Sequence, residues 1–241
     1  MIGIIGYGMV GKALAEGFPL VDKLVYDPYL YPESKLEDLF ETEAIFVCVP
    51  TPTDDTNYSI LRQTLADLKD YTGLVVVKST VLPQYIEEFD IVYNPEFLSR
   101  ATSVEDFIYP EILLFGGDSI KCDQLYTLYK QYSIVKPKHV FSTDLQTASF
   151  VKYMMNSFYA TKVTFMNQMY DVAKQIGADY TAAADICSKH PWMGTHHFKV
   201  PGPDGQRGFG GPCLPKDTQA LVKMFDVELL KRVLELNEHY R

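Results

Sequence analysis

The chain begins Met1-Ile2-Gly3-Ile4-Ile5-Gly6-Tyr7-Gly8-Met9-Val10-Gly11, and these eleven residues carry the clearest signal of its fold. Met1–Ile5 is a short apolar run typical of a buried strand, and Lys12–Phe18 carries apolar residues at helical spacing. Between them lies a Gly-x-Gly-x-x-Gly turn, whose glycines make the bend, admit a pyrophosphate and let helix pack on strand. The stretch therefore predicts a dinucleotide site built from Gly6, Tyr7, Gly8, Met9, Val10 and Gly11.

A carboxylate follows at the position where a dinucleotide needs one. Leu24–Tyr26 is typical of a second strand, and Asp27 ends it about 20 residues after Gly6, the spacing of an acid that binds ribose hydroxyls. A carboxylate there repels a 2′-phosphate, and no basic residue follows it in Pro28-Tyr29. We therefore expect the cofactor to be NAD and not NADP.

Strand-like runs alternate with helical patterns through the first half of the chain, which predicts a parallel, doubly wound, Rossmann-like sheet. Ligands of such sheets bind outside the carboxyl ends of the strands. Polar residues after strands three and four are therefore expected to line the cofactor crevice, and these are Thr51, Ser79 and Thr80. The further strands expected are Ala44–Val49, Leu74–Lys78, Ile91–Tyr93, Glu111–Phe115 and His139–Phe141, and the helices are Ser34–Phe40, Leu61–Tyr71 and Ser119–Tyr132.

The pattern changes near residue 143, where we place a domain boundary: 1–143 is expected to bind the dinucleotide, and 144–241 to be a helical domain. Leu145–Gly177 has no proline and no internal glycine, which predicts one long helix of roughly 45 Å. Its apolar stripe favours a homodimer through this helix. Lys152 and Asn156 share one of its faces, either as a surface lysine and amide or as polar groups that point into a site.

A second glycine-rich stretch carries a cysteine: Gly208-Phe209-Gly210-Gly211-Pro212-Cys213-Leu214-Pro215-Lys216-Asp217. The glycines allow a close approach of backbone to ligand. Pro215 suits a first helical turn, so Cys213 precedes a helix N-terminus, which favours the nucleophilic thiolate. The alternative is a flexible loop with an inert, buried cysteine.

Composition excludes several classes of protein. The net charge of −9 argues against non-specific nucleic-acid binding, and there is no apolar run long enough to span a membrane. The four cysteines are scattered, which fits a reducing cytoplasm and argues against a disulfide framework or a zinc site. We expect a cytoplasmic protein without a metal.

These residues together resemble the nucleotide-sugar dehydrogenase family. The matching motifs run in order along the chain: Gly6 to Gly11 with Asp27, Thr51-Pro52-Thr53, Lys78-Ser79-Thr80, Asn94-Pro95-Glu96-Phe97-Leu98, Lys152 through Asn156, and Gly208 through Asp217. The last motif and its spacing from Lys152 are specific to the family, whereas many enzymes share the glycine turn.

The resemblance implies oxidation of a nucleotide sugar, by default UDP-glucose, at the C6 alcohol to the carboxylate, with two NAD per turnover. Cys213 would attack the intermediate aldehyde to form a thiohemiacetal, and a second hydride transfer would give a thioester. Lys152 would stabilise the developing oxyanion, Asn156 would position the sugar or a water, and Asp217 would serve in acid–base catalysis or orient a water. Glu96 and Thr80 would act on the hydrolytic water. The substrate would be held by Phe97, Leu98 and Gly210.

Some positions depart from the family pattern. Members usually carry a third domain, which is not in this sequence. The family often has an acid three residues before its lysine, where this chain has Ser149, and a second acid after the Glu96 motif, where it has Arg100. It also often has Arg-Ile-Gly in the loop before the cysteine, where this chain has Trp192-Met193-Gly194. Two alternatives stay open. One is a one-step NAD-dependent hydroxyacid dehydrogenase that uses Lys152 and Asn156, and the other is a non-catalytic NAD-binding partner, or a fragment that needs a separate chain for its third domain.

Overall fold

A computed structural model describes residues 1–52 and 58–241, which form two compact units, Met1–Lys152 and Tyr153–Arg241. The predicted boundary lies just before the long helix, and the two units divide within that helix. No described helix is both long enough and apolar enough to span a membrane.

The first unit is built on one sheet, whose described strands follow the apolar runs closely. Its strand order is β2-β1-β3-β4-β5-β6-β7, and β1 pairs with β2 and β3 in register across all four of its residues. The strands are Ile2–Ile5 (β1), Lys23–Tyr26 (β2), Ala44–Val47 (β3), Leu74–Val77 (β4), Val92–Tyr93 (β5), Ile112–Gly116 (β6) and His139–Thr143 (β7).

The strands β1 to β5 pair in parallel, which confirms the Rossmann-like prediction. The pairing of β5 with β6 is antiparallel, through Tyr93 and Gly116, and β7 then runs parallel to β6. The wholly parallel sheet expected from the sequence therefore holds only as far as β5, because apolar runs do not encode strand direction. The carboxyl ends of β1, β3, β4 and β5 lie at one edge, where a cofactor is expected.

Most of the helices agree with the apolar periodicity. The expected helix Ser34–Phe40 is a 3₁₀ helix, Leu36–Glu41, and two helices of four and six residues were missed because they are too short to show a period. The α-helices are Met9–Gly17 (α1), Ser59–Asp67 (α2), Pro83–Ile86 (α3), Ser103–Ile108 (α4), Ser119–Tyr132 (α5), Leu145–Ile176 (α6), Tyr180–Ser188 (α7), Leu214–Met224 (α8) and Glu228–Tyr240 (α9).

An aromatic cluster fills the core of the first unit. The ring of Tyr129 on α5 packs edge-on against Phe18 at 4.9 Å between centroids, and Phe115 of β6 lies 5.8 Å away. Aromatic pairs in these tilted arrangements add to the stabilisation from burial. Tyr129 also places its hydroxyl at the carboxyl edge of the sheet, where it bonds Asn94 at 2.7 Å.

The long helix α6 extends to Ile176, as predicted, and ends at Gly177, whose φ of +71° closes a helix without strain in glycine. In the second unit a small apolar core joins α6 to α9 through the 208–213 segment, because Phe209 packs between Ala160 and Val233. Asp179 caps α7 by accepting the Ala182 N–H at 3.1 Å.

Candidate active site

The glycine turn has the geometry that each glycine role requires. Gly6 has a φ of +87°, and a Cβ there would lie 2.8 Å from the Cys48 carbonyl oxygen. A Cβ on Gly11 would overlap the Gly6 carbonyl oxygen, so this glycine lets α1 pack on β1. By contrast, a Cβ on Gly8 would meet no atom within 4 Å. The open space lies at the one glycine expected to face the pyrophosphate.

The helix α1 presents its N-terminus at this turn. Gly8 is the N-cap and makes no side-chain cap, and the first turn carries no acidic residue. Its N–H groups therefore favour an anion. Tyr7, Met9 and Val10 are half-buried beside it.

Asp27 is held rigidly beside the glycine turn. Its Oδ2 accepts the Tyr7 N–H at 2.7 Å, and its Oδ1 accepts those of Tyr29 and Leu30 at 3.1 and 3.2 Å. The carboxylate is thus oriented by the turn itself and by the start of the 28–35 segment. A fixed carboxylate at the end of β2 fits the ribose hydroxyls of a dinucleotide.

The hydroxyl residues after β3 and β4 lie at the same edge of the sheet. Thr51 is buried, and Thr80 is half-buried. Ser79 donates its hydroxyl to the Val49 carbonyl at 2.7 Å, which ties the loop after β3 to the end of β4. Thr53, which belongs to the quoted Thr51-Pro52-Thr53 motif, lies outside the described residues.

Glu96 and Lys152 form a buried ion pair in the first unit. Lys152 Nζ donates to the Glu96 backbone carbonyl at 2.6 Å and lies 3.2 Å from Oε1. Glu96 Oε2 accepts the Leu98 N–H at 2.7 Å, and the Phe97 ring centroid lies 5.3 Å from Nζ. Their side chains are 9% and 3% exposed, so the surface alternative for Lys152 is wrong.

The charges in this pair are set by competing effects. Burial acts to raise the pKa of Glu96, but the Lys152 ammonium, the Leu98 N–H and Lys78 outweigh it and hold that pKa below its ordinary value. The carboxylate is therefore ionised at neutral pH, beside a cation that is also buried. A developing negative charge next to Lys152 would be stabilised strongly in such surroundings.

A second buried cluster lies in the second unit. Asn156 on α6 donates its amide to Asp217 Oδ2 at 2.6 Å, and Lys216 Nζ lies 2.6 Å from Oδ1. Asp217 is 1% exposed and Asn156 6%. Cys213 is the N-cap residue of α8, as expected, and its carbonyl accepts the Asp217 N–H at 2.9 Å. The half-buried Cys213 therefore lies one turn before a fixed carboxylate.

Two asparagines hold the glycine loop before Cys213. Asn167 Oδ1 accepts the Gly208 N–H at 3.1 Å, and Asn237 both accepts the Phe209 N–H and donates to its carbonyl, at 2.6 and 2.9 Å. At Gly208 a Cβ would overlap Asn237 Oδ1, so the residue must be glycine for this clamp to form. The Arg241 guanidinium lies against Gly210 and pairs with Asp204 at 2.8 Å.

Sequence reasoning gave no role to several of these residues. The clamp by Asn167 and Asn237 was missed because both are isolated amides on helices, with no local signal. Lys78 and Asn94 stood in quoted motifs, but their contact was not foreseen. The one available signal was a lysine directly after the apolar run Leu74–Val77, where a strand is buried.

A cavity of about 1210 Å³ among the described residues is not at this edge of the sheet. It is open and lies at the amino ends of the strands, with Glu43, Gly73 and Ile91 in its wall. The described part of the chain also has no cluster of three or more His, Cys, Asp or Glu side chains that could hold a metal ion. The candidate site is therefore assigned from its buried polar groups.

Comparison with known proteins agrees with this geometry. Residues 19–133 match the family model for the NAD-binding domain of the UDP-glucose/GDP-mannose dehydrogenase family, and residues 146–239 match its central domain. The chain belongs to this family. Its first unit is accordingly an NAD-binding domain, which agrees with the cofactor expected from Asp27.

Named relatives of the family include UDP-glucose 6-dehydrogenase of Rickettsia bellii, 34% identical over 224 residues, covering 84% of this chain and 50% of the relative. UDP-glucose 6-dehydrogenase TuaD of Bacillus subtilis is 30% identical over 250 residues, covering 92% and 52%. The chain thus spans about half the length of the curated relatives it matches.

Solved structures show the same architecture. A UDP-glucose dehydrogenase from Pyrobaculum islandicum superposes with a TM-score of 0.83 at 26% identity, over 99% of this chain and 68% of that one. The 3-hydroxyisobutyrate dehydrogenase of Mycobacterium tuberculosis superposes with a TM-score of 0.76 at 12% identity, over 99% and 92%. At that identity the second likeness shows the fold alone.

Proposed function

We propose that this protein oxidises a nucleotide sugar, by default UDP-glucose, to its uronate with two NAD. The first hydride leaves C6 of the sugar for NAD as the alcohol loses its proton, which gives an aldehyde. The Cys213 thiolate adds to the aldehyde carbon and forms a thiohemiacetal. The second hydride leaves that carbon for a second NAD and yields a thioester, which water cleaves to the carboxylate and the free thiol.

The observation that carries the proposal is the arrangement of Cys213, Asp217 and Asn156 in the second unit. A cysteine at a helix N-terminus favours the thiolate, and the carboxylate one turn later is fixed by an amide. A one-step alcohol oxidation needs no thiol, whereas a four-electron oxidation uses one to hold the aldehyde. The buried Lys152 supports the same chemistry because an ammonium stabilises an oxyanion.

In this proposal Glu96 and Thr80 orient the water that hydrolyses the thioester. Glu96 is suited to that task because its carboxylate is ionised and held in one orientation by Leu98 and Lys152. Phe97, Leu98 and Gly210 contact the substrate. Thr51, Ser79 and Asp27 complete the NAD site with the glycine turn.

The test counts NADH per sugar with purified protein, NAD and a panel of UDP- and GDP-sugars. The expected result is two NADH per sugar oxidised, and loss of turnover in Cys213→Ser. The matched control is Cys187→Ser, which removes an exposed thiol on α7. One NADH per substrate with no effect of Cys213→Ser would instead support a one-step dehydrogenase. NAD binding with no turnover of any sugar nucleotide would support the non-catalytic alternative.

We also propose a homodimer through α6. This helix exposes apolar side chains on one stripe in the second unit: Met154, Phe158, Phe165, Met169, Val172 and Ile176, between 37% and 73% exposed. Their spacing of three or four residues, or seven in the one longer step, keeps them on one face, and contiguous exposed apolar surface of this kind marks an interaction site. A second copy of the same helix would cover it.

Sedimentation velocity tests the dimer. The expected result is a dimer for the unchanged chain and a monomer for Phe158→Glu combined with Phe165→Glu. The control Ile120→Glu removes an apolar side chain on α5 that is more exposed than either phenylalanine. A monomer at every concentration for the unchanged chain would overturn the proposal.

A further inference from the structure

Lys78 is a buried cation at the carboxyl end of β4, and the chemistry proposed above leaves it without a role. Its side chain is 3% exposed, and its N–H continues the strand ladder to the Val47 carbonyl at 2.9 Å. Its Nζ donates to the backbone carbonyl and to the side-chain Oδ1 of Asn94, both at 2.9 Å. The Phe107 ring centroid lies 5.4 Å away.

Asn94 is the first residue of the turn that carries Glu96, and all of its polar groups are engaged. Its N–H donates to the Val77 carbonyl at 2.9 Å, and its Nδ2 donates to the Leu114 carbonyl at 2.9 Å. Its carbonyl accepts from Lys78, and its Oδ1 accepts from both Lys78 and Tyr129. The residue therefore fixes the point from which the turn to Leu98 departs.

The cost of burying Lys78 suggests more than a packing role. No salt bridge among the described residues includes Lys78, and the hydrogen bonds of its Nζ go to the neutral oxygens of Asn94; the Glu96 carboxylate acts on it without direct contact and does not offset the cost of burial. Burial lowers the pKa of Lys78 to about 8. An uncompensated buried ammonium disfavours folding, and an apolar side chain of the same length would fill the space more cheaply.

We propose that Lys78 is a positioning residue: through Asn94 it holds the Asn94–Leu98 turn so that the Glu96 carboxylate faces Lys152. Its ammonium also adds to the positive potential at Glu96, next to that of Lys152. The inference rests on the proposed function only for the task of Glu96, since the hold on the turn is a property of the unliganded chain.

The groups around Lys78 come from four different elements. Cys48 follows β3, Glu96 lies in the turn after β5, Lys152 is on α6, and Tyr129 is on α5. Burial raises the pKa of Cys48 to about 12, so this thiol stays neutral, and the pKa of Tyr129 is also raised by burial. Glu96 and Lys152 are therefore the charges that face Lys78 at neutral pH.

The test measures the Glu96 carboxyl and the Leu98 amide directly by NMR, without substrate. Protein labelled with ¹³C at the glutamate carboxyl carbon is titrated from pH 7 downward, and Glu96→Gln assigns the signal. Lys78→Gln removes the charge and keeps a donor, and Lys78→Met removes both. The matched control is Lys138→Gln, a lysine paired with Glu111 on the surface.

The expected result is a tenfold or greater rise in the proton affinity of Glu96 in both Lys78 variants. The Leu98 N–H, which bonds Glu96 Oε2, is expected to exchange at least tenfold faster in Lys78→Met, and Lys138→Gln is expected to change neither. The proposal would be overturned if the Lys78 variants fold and show the same Glu96 titration and the same Leu98 amide exchange rate as the unchanged protein. Turnover of a sugar is not needed for any of these measurements, so failure of the proposed function would not affect them.

Tyr129→Phe covers the case in which the Lys78 variants do not fold. It removes the other donor to Asn94 Oδ1 and leaves Lys78 in place. If Lys78 is the residue that holds the turn, the proton affinity of Glu96 and the exchange rate of the Leu98 amide in Tyr129→Phe stay within twofold of the unchanged protein. A tenfold change of either quantity in Tyr129→Phe would show that Tyr129 holds the turn, and it would overturn the proposal.

Discussion

The burial of Lys78 predicts a specific dependence of stability on pH. In the folded chain burial lowers the pKa of Lys78 from 10.5 to about 8. Between these two values the unfolded chain binds more protons than the folded chain, so stability rises with pH across this window. Below pH 8 the folded protein bears the full cost of the buried charge. Each pH unit corresponds to about 1.4 kcal/mol, so the cost amounts to about 3 kcal/mol.

Replacement by methionine removes this cost. Lys78→Met also leaves the Asn94 carbonyl without its Lys78 donor, which costs about 1–3 kcal/mol at every pH. The two effects nearly cancel at pH 7, so we expect the variant to be about as stable there as the unchanged protein. At pH 10, close to the upper end of this window, most of the charge cost is gone and the lost hydrogen bond dominates, so we expect the variant to be less stable by about 1–2 kcal/mol.

Urea unfolding of both proteins at pH 7, 8, 9 and 10 measures the difference. Other groups that titrate in this range are present in both proteins, so their contributions cancel to first order. The free energies of unfolding are expected to diverge steadily above pH 8. Curves that run parallel from pH 7 to pH 10 would show that Lys78 is not a desolvated cation, and the argument for its role would fail.

Three further predictions concern the cofactor turn, the buried ion pair and the loop clamp. Gly8→Ala is expected to weaken NAD binding at least tenfold, measured by calorimetry, and to leave the melting temperature unchanged. Gly11→Ala is expected to lower the melting temperature, because its Cβ meets the backbone. The reverse pattern would contradict the glycine roles. Lys152→Met is expected to destabilise the fold by about 3–5 kcal/mol in urea unfolding, because it leaves the Glu96 carboxylate buried and unpaired, and a loss under 1 kcal/mol would contradict this. Asn237→Ala is expected to lose about 1–3 kcal/mol because the clamp on the glycine loop is broken, and an unchanged unfolding midpoint would count against the clamp.

The parts of the fold that could be predicted from the sequence depend on local signals. The glycine turn and the apolar run before it identify β1 and α1, because a side chain at Gly6 or Gly11 would collide with neighbouring backbone atoms. The long helix α6 could be predicted because Leu145 to Ile176 contains no helix breaker. The direction of β6 could not, since an apolar run has the same pattern whichever way the strand points.

The site residues were named from the sequence, but their partners were not. Glu96 and Lys152 are 56 residues apart in the chain, and Asn156 and Asp217 are 61 apart. No periodicity links residues at such distances, so only the packing of α6 within each unit shows which groups meet. For Asn94 the difficulty is greater, because its role depends on four hydrogen bonds to three distant residues, which are Lys78, Leu114 and Tyr129.

The two buried carboxylates have a common design that bears on their proposed tasks. In Glu96 one oxygen is held by the Leu98 N–H and the other by Lys152, and in Asp217 one is held by Asn156 and the other by Lys216. Each carboxylate oxygen can accept two hydrogen bonds, so these donors fix the plane of the group and leave acceptor capacity on it. A carboxylate that is fixed but can still accept a bond is suited to orient a water molecule, because the water adopts the geometry that the donors impose. The same contacts make Glu96 a poor general base, since the Lys152 ammonium and the Leu98 N–H that hold it stabilise the charged form and lower its pKa. The geometry therefore favours orientation of water over proton abstraction as the task of Glu96 in the proposed reaction.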